Sequence, residues 1–181
     1  MEFKDVVEAR RSVRKFSDEG VGDDLVQYVL GMARLAPSWK NSQCWRFIVV
    51  RDEDARAKVA SAVPMVNSWL RKAPVIVVVC ADPDRSGYHN EMGYFLVDAA
   101  IASEHLVLAA TDIGLGTCWI GLFEEDRLKE TLDIPENVRV VTLLPLGHPA
   151  NRVGVGERMT KVLVRSDKRK PLEELVHWER W

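Results

Sequence analysis

Pro74-Val75-Ile76-Val77-Val78-Val79 is the stretch on which the fold turns. The five residues after the proline are all β-branched, which favours extended backbone, and none is polar, so both faces of the strand must be covered. A strand of that kind sits centrally in a sheet with a layer on either side. Upstream, Trp45 to Arg51 reads as a second strand, and Asp52 caps a helix running to Ala62. Earlier still, Asp23 to Leu35 places Leu25, Val26, Val29, Leu30 and Ala33 on one helical face, and Pro37 ends that helix. Downstream, Glu91 to Ile113 is helical and apolar nearly all round. Asp98, Glu104, His105 and Asp112 interrupt it and would be costly in lipid, so it reads as a buried helix and not a membrane span. Gly116 to Gly121 and Val138 to Leu144 are further strands, separated by a helix at Glu124 to Leu132. This interleaving predicts a layered α+β fold, and no repeat, low-complexity tract or linker divides residues 1–181, which read as a single domain.

Composition narrows the function. The 181 residues are 47% hydrophobic and 29% charged, enough for one sizeable core and without a disorder signature. Twenty-five basic against 27 acidic residues leave a net charge of −2, a poor electrostatic match for a nucleic-acid backbone. The opening residues carry Glu2 and Asp5 and no apolar h-region, which argues against a signal peptide. Cys44, Cys80 and Cys118 are odd in number, widely spaced and without a C-x-x-C pair, so neither a disulfide framework nor a zinc site is indicated, and a reducing cytoplasm fits. His89, His105, His148 and His177 lack metal-ligand spacing, and no metal is expected. Gly154-Val-Gly156 lacks the third glycine and the strand-turn-helix setting of a dinucleotide fingerprint and reads as a surface turn.

Two segments carry chemistry. Arg10, Arg11, Arg14 and Lys15 crowd around Ser12 just after the amphipathic stretch Phe3, Val6 and Val7. Arginine presents a planar fork of donors that matches phosphate oxygens in pairs, and a serine hydroxyl with nearby N–H groups can complete the cradle. A solvated basic run at a helix end would look the same. The second segment is the polar loop Ala36-Pro-Ser-Trp-Lys-Asn-Ser-Gln-Cys-Trp45, placed where a helix hands over to a strand. It can line a flat, aromatic site with polar edges, or it can be a turn whose Ser38 and Asn41 satisfy their own backbone and whose tryptophans anchor a core.

Together these segments resemble the nitroreductase family of FMN-dependent oxidoreductases. The family's R-x-S-x-[RK] run appears as Arg10-Arg11-Ser12-Val13-Arg14, and its P-S-x-x-N-x-Q-x-W loop as Pro37 through Trp45. The likeness continues through the long helix into Gly114-Leu-Gly-Thr-Cys-Trp-Ile-Gly121, then Leu146-Gly-His-Pro149 and Arg169-Lys-Pro-Leu172, five short pieces in family order.

The resemblance implies a three-layer sandwich with a central mixed β-sheet flanked by helices, assembled as a homodimer with an exchanged C-terminal arm. It implies that Arg10, Arg11 and Ser12 hold the phosphate and ribityl chain of FMN, with Arg169 closing the phosphate pocket. Arg14 would approach the N1 and C2 carbonyl edge, where a fixed cation raises the reduction potential. Pro37, Ser38, Trp39 and Asn41 would come from the partner subunit. Ile120 and Gly121 would approach the other face or the N5 edge through backbone atoms, and Asn67 the pyrimidine edge. The implied activity passes hydride from NADH or NADPH through flavin N5 to a small electron-poor acceptor, a nitroaromatic or quinone, in ping-pong fashion. Reductive dehalogenation, an enoyl-type redox reaction, and flavin storage without turnover are the alternatives. Three departures from the family pattern stand out. Asp167 replaces a basic residue, leaving Lys168 to substitute; Leu70 stands where longer relatives carry a lysine, leaving Arg71 or Lys72; and only Asp82 to Asn90 is available where many relatives insert a substrate-covering excursion.

Overall fold

The computed structural model describes residues 1–150 and 169–181. Gly154-Val-Gly156, Asp167 and Lys168 lie outside the described residues. The chain divides into two compact units, Met1–Asn151 and Arg152–Trp181.

In the first unit, strands β1 (Trp45–Val50), β2 (Val75–Ala81), β5 (Gly116–Thr117) and β6 (Arg139–Gly147) form a four-stranded sheet ordered β1-β2-β6-β5, and β3 (Tyr88–His89) and β4 (Met92–Gly93) form a separate hairpin. The β-branched run lies at the centre, with every residue of β2 buried. Side chains alternate across a strand, so the run divides between two cores. Val75, Val77, Val79 and Ala81 pack with Val26, Val29 and Ala33 of α2 (Asp23–Ala33) and with Ala99, Leu106 and Ala110 of α4 (Tyr94–Asp112). Ile76, Val78 and Cys80 pack on the opposite face with Val59 of α3 (Glu53–Ala60), Leu70, and Leu128 of α5 (Glu125–Leu132). The result is three layers, helices on both faces of one sheet. All three ladders of the four-stranded sheet are antiparallel, and the parallel component among the described residues is one bridge, Ser12 to Thr117, which joins the basic segment to the β5 edge.

Several boundaries differ from the sequence reading. The Asp23 helix ends at Ala33, four residues before Pro37, because Arg34 to Ala36 close it with a tight turn. Asp52 caps α3 by accepting from the Ala55 N–H at 2.9 Å, but the helix stops at Ala60. The long helix begins at Tyr94 and not Glu91, because Asn90 and Glu91 adopt φ of 49° and 61°, the two positive values that a tight β3–β4 hairpin turn demands. The Gly116–Gly121 strand shrinks to Gly116–Thr117, continued only by the Ile120–Leu143 bridge, and the last strand extends to Gly147. Of the amphipathic stretch in α1 (Phe3–Ala9), only Val6 is buried, leaving Phe3 and Val7 exposed.

Helix α4 terminates by geometry that only glycine accommodates easily. Gly114 has φ +80°, its N–H bonds to Thr111 O at 3.0 Å, and Leu115 N–H bonds to Ala110 O at 2.8 Å, the paired closure of a Schellman turn. Gly114→Ala is therefore expected to destabilise the fold by about 1–2 kcal/mol, read from the shift in denaturant midpoint at unchanged slope.

The second unit, in its described part, has a 3-10 turn at Leu172–Glu174 after Pro171, and the rings of His177 and Trp181 stack at 4.7 Å. Leu172, Leu175, Trp178 and Trp181 are exposed.

Candidate functional site

The basic segment leaves α1 at Arg10, whose N–H still bonds back to Val6 O, and then runs extended along β5, with Val13 N–H donating to Thr117 O at 2.7 Å. Alternation along extended backbone sorts its side chains. Arg10, Ser12 and Arg14 converge on the buried thiol of Cys118. Burial pushes that thiol up, while the Arg14 charge, a hydrogen bond with Ser12 and the Arg10 charge oppose the shift. Arg11 does not join them. With Val13 it lines a cavity of about 190 Å³ bounded by Thr111, Gly114, Gly116 and Pro149. Arg10 also faces Glu104 on α4, whose carboxyl is raised by burial, with Arg10 and His105 opposing.

One atom is diagnostic. Arg14 Nη1 is buried and has no hydrogen-bond partner. An unsatisfied buried donor costs about 1–3 kcal/mol, more when charged, so this nitrogen marks where an acceptor-rich group belongs. A solvated basic run would not bury it.

The turn after β5 flanks the same cluster. Ile120 is fixed by reciprocal backbone bonds with Leu143 at 3.1 and 3.0 Å and by Thr142 Oγ1 donating to its carbonyl at 3.0 Å. Gly121 is exposed, and a Cβ built there would meet only Trp119 Nε1 at 3.9 Å, leaving its backbone open to a ligand. Asn67 lies half-buried in the 3-10 segment Met65–Lys72, which the basic segment approaches through the Phe16–Trp69 ring pair at 6.4 Å. Arg71 and Lys72 are exposed at its end. Arg169 is exposed and belongs to the second unit.

The Pro37–Trp45 loop is strained and self-braced. Lys40, Asn41 and Gln43 have φ of 47°, 57° and 49°, a region costly for side chains other than glycine and asparagine. Ser38 Oγ accepts from Gln43 N–H at 3.0 Å, and Gln43 Nε2 donates to Asn41 Oδ1 at 3.0 Å. Pro37 and Asn41 are exposed. Trp39 packs its ring on Tyr94 with centroids 4.4 Å apart, and Trp45 is a core anchor beside Ala36 and Ala102.

The loop and the basic segment meet different parts of α4. Trp39 N–H donates to Asp98, whereas Arg10 faces Glu104, six residues or about 9 Å further along the axis. Sequence reasoning missed Asp98 and Cys118. Asp98 registered only as a polar interruption of an apolar helix, and Cys118 only as a member of an odd set. A separate cleft of about 360 Å³, lined by Arg46, Cys80, Asp82, Arg85, Asp133 and Ile134 among others, contains none of the predicted site residues.

Helices on both faces of one four-stranded sheet define a three-layer α+β fold. A family model described as "Putative TM nitroreductase" matches residues 2–181. The chain belongs to the nitroreductase family. It is 36% identical over 180 residues to a "Putative NADH dehydrogenase/NAD(P)H nitroreductase" of Archaeoglobus fulgidus, covering 97% of each chain. It is 30% identical to an NAD(P)H "FMN reductase" of Bacillus subtilis over 85% of this chain and 68% of that one. The crystal structure of a nitroreductase family protein from Clostridium novyi NT superposes with a TM-score of 0.80 at 41% identity, covering 83% of this chain and 87% of that one.

Proposed function

We propose that the chain is an FMN-dependent NAD(P)H oxidoreductase that reduces a small electron-poor acceptor of the nitroaromatic or quinone class. The observation that carries this reading is the buried, unpartnered Arg14 Nη1, held with Arg10 and Ser12 near the open backbone of Gly121. The donor set suits a phosphorylated flavin: guanidinium forks for a phosphate dianion, a hydroxyl for the ribityl chain, and a fixed cation for an edge that gains electron density. Bound there, FMN supplies the reversible two-electron exchange that no side chain provides.

Arg10 and Ser12 are assigned to the phosphate and ribityl end, with Arg11 adding charge from the adjoining cavity and Arg169 closing the pocket from the arm. Arg14 is assigned to the electron-accepting edge, Asn67 to the pyrimidine edge, and the Ile120 and Gly121 backbone to the N5 side. A homodimer completes the site in this reading, with Pro37, Ser38, Trp39 and Asn41 supplied by the neighbour. The exposed Leu172, Leu175, Trp178 and Trp181 suit an exchanged arm, so that both units form one FMN-binding domain. Three buried thiols accord with a cytoplasmic setting.

The hairpin Tyr88–Gly93 is too short to form a lid, so donor and acceptor use one open face in turn. Anaerobic NADH or NADPH is expected to bleach the bound flavin, and quinone turnover to give parallel double-reciprocal plots. Colourless protein that takes up no FMN would overturn the reading. Bound flavin that NAD(P)H leaves oxidised would indicate storage, and intersecting plots a specialised reaction.

A further inference from the structure

Asp98 lies in the second turn of α4, 2% exposed, and its two oxygens gather four donors from two separate segments. Oδ1 accepts from Trp39 N–H at 2.8 Å. Oδ2 accepts from Ser86 Oγ at 2.7 Å, Ser42 Oγ at 3.4 Å and Cys44 Sγ at 3.6 Å. No lysine or arginine is among these donors. A carboxylate this deeply buried is tolerated because its lone pairs are filled, and each donor is thereby held in one place. Cys44 stays a proton donor, since burial and the Asp98 charge push its thiol up to about 11.

What these donors border is specific. Trp39 N–H and Ser42 Oγ bracket Lys40 and Asn41, two of the loop's three residues in left-handed backbone, a conformation that persists only where its surroundings impose it. Ser86 precedes Gly87, where a Cβ would strike the indole of Trp39. Gly87 O accepts from Tyr94 N–H at 2.8 Å, and the Tyr94 ring packs on Trp39. The polar loop and the base of the hairpin are thus locked together, and Asp98 is the charged group that bonds to both.

We propose that Asp98 is a positioning residue for the cofactor site: by gripping Trp39, Ser42 and Ser86 together it presents Ser38 and Asn41 in binding geometry and sets the hairpin that borders the open face. The assignment of Ser38 and Asn41 rests on the proposed FMN site. The grip itself does not, which keeps the two separable in the test.

The test uses the full chain as wild type, Asp98→Ala, Asp98→Asn, Ser42→Ala and Ser86→Ala. Amide hydrogen exchange is measured on the apo-proteins, and FMN affinity by titration. In Asp98→Ala, exchange is expected to rise in residues 38–44 and 86–94 while β2 and β6 keep their protection. FMN affinity is expected to fall by about 10- to 100-fold, the loss of hydrogen bonds to a charged group. Asp98→Asn keeps an acceptor for Trp39 N–H and recovers most of both, a rescue that simple volume filling would not require. Ser42→Ala loosens only residues 38–44, and Ser86→Ala only residues 86–94; these two variants decide the matter if Asp98→Ala does not fold. Unchanged exchange in both segments, or a uniform rise that includes β2 and β6 with FMN affinity intact, overturns the proposal. Wild type that binds no FMN overturns the function proposed above and leaves the exchange arm standing.

Discussion

Arg14→Ala is expected to weaken FMN binding by about 1.5–3 kcal/mol, roughly 10- to 150-fold, without destabilising the apo-protein. The opposite signs follow from one atom. In the apo-protein Arg14 Nη1 is buried and unpartnered, so deleting it removes a penalty and leaves the apo unfolding midpoint unchanged or raised. In the complex the same deletion removes a charge-assisted hydrogen bond. If Arg14 stands at the electron-accepting edge, the reduced cofactor loses more than the oxidised one, and a difference of about 1.4–2.8 kcal/mol lowers the two-electron potential by about 30–60 mV. Arg14→Lys keeps the charge but not the fork and should fall between the two. Arg10→Ala and Arg169→Ala share the direction in affinity, but not the shift in potential, because their partner is the phosphate end. Titration of apo-protein with FMN, chemical denaturation and potentiometry read the three quantities. Unchanged affinity together with a destabilised apo-protein would make Arg14 a structural residue.

Leu96→Asp with Val97→Asp should convert a dimer to a monomer and strip FMN in the same step. Both side chains are on α4, yet they are 51% and 45% exposed in a helix that otherwise packs on α2 and β2. Large apolar groups left uncovered near the loop proposed to reach a neighbour's cofactor would form the seam of an isologous interface. Forcing two unpaired carboxylates into such a seam costs several kcal/mol each. Sedimentation would report the change in mass and flavin absorbance the loss of cofactor, while the circular dichroism of the protomer stays native, since neither side chain belongs to its core. A monomer that retains tightly bound FMN would contradict both the interface and the placement of Ser38 and Asn41 on a neighbour's site.

The long helix shows where local reading succeeds and where it stops. Its existence is legible because fifteen of residues 91–113 are apolar, but its start falls at Tyr94 and not Glu91, because Asn90 and Glu91 take positive φ values, a region disfavoured for most side chains that hydrophobic pattern does not reveal. Trp39 and Trp45 could not be separated by composition. The first closes over Gly87 and Tyr94 and the second enters the core against Ala102, a difference set by partners distant in the chain.

By itself the sequence determined the layers and the chemistry. A β-branched run with no polar residue requires cover on both faces whatever its neighbours, and the arginine-serine run offers the donor set of an anion clamp, which a solvated basic run would share. Only the tertiary structure decided that Arg10, Ser12 and Arg14 turn to one side and Arg11 to the other, because that depends on which edge the segment joins, here Thr117 of β5. Only the tertiary structure decided, too, that Asp98, an apparent blemish in an apolar helix, is where the loop and hairpin are tied together. A buried charge reads as an error in one dimension, and its reason lies in donors 12 to 59 residues distant that the fold alone brings within hydrogen-bond reach.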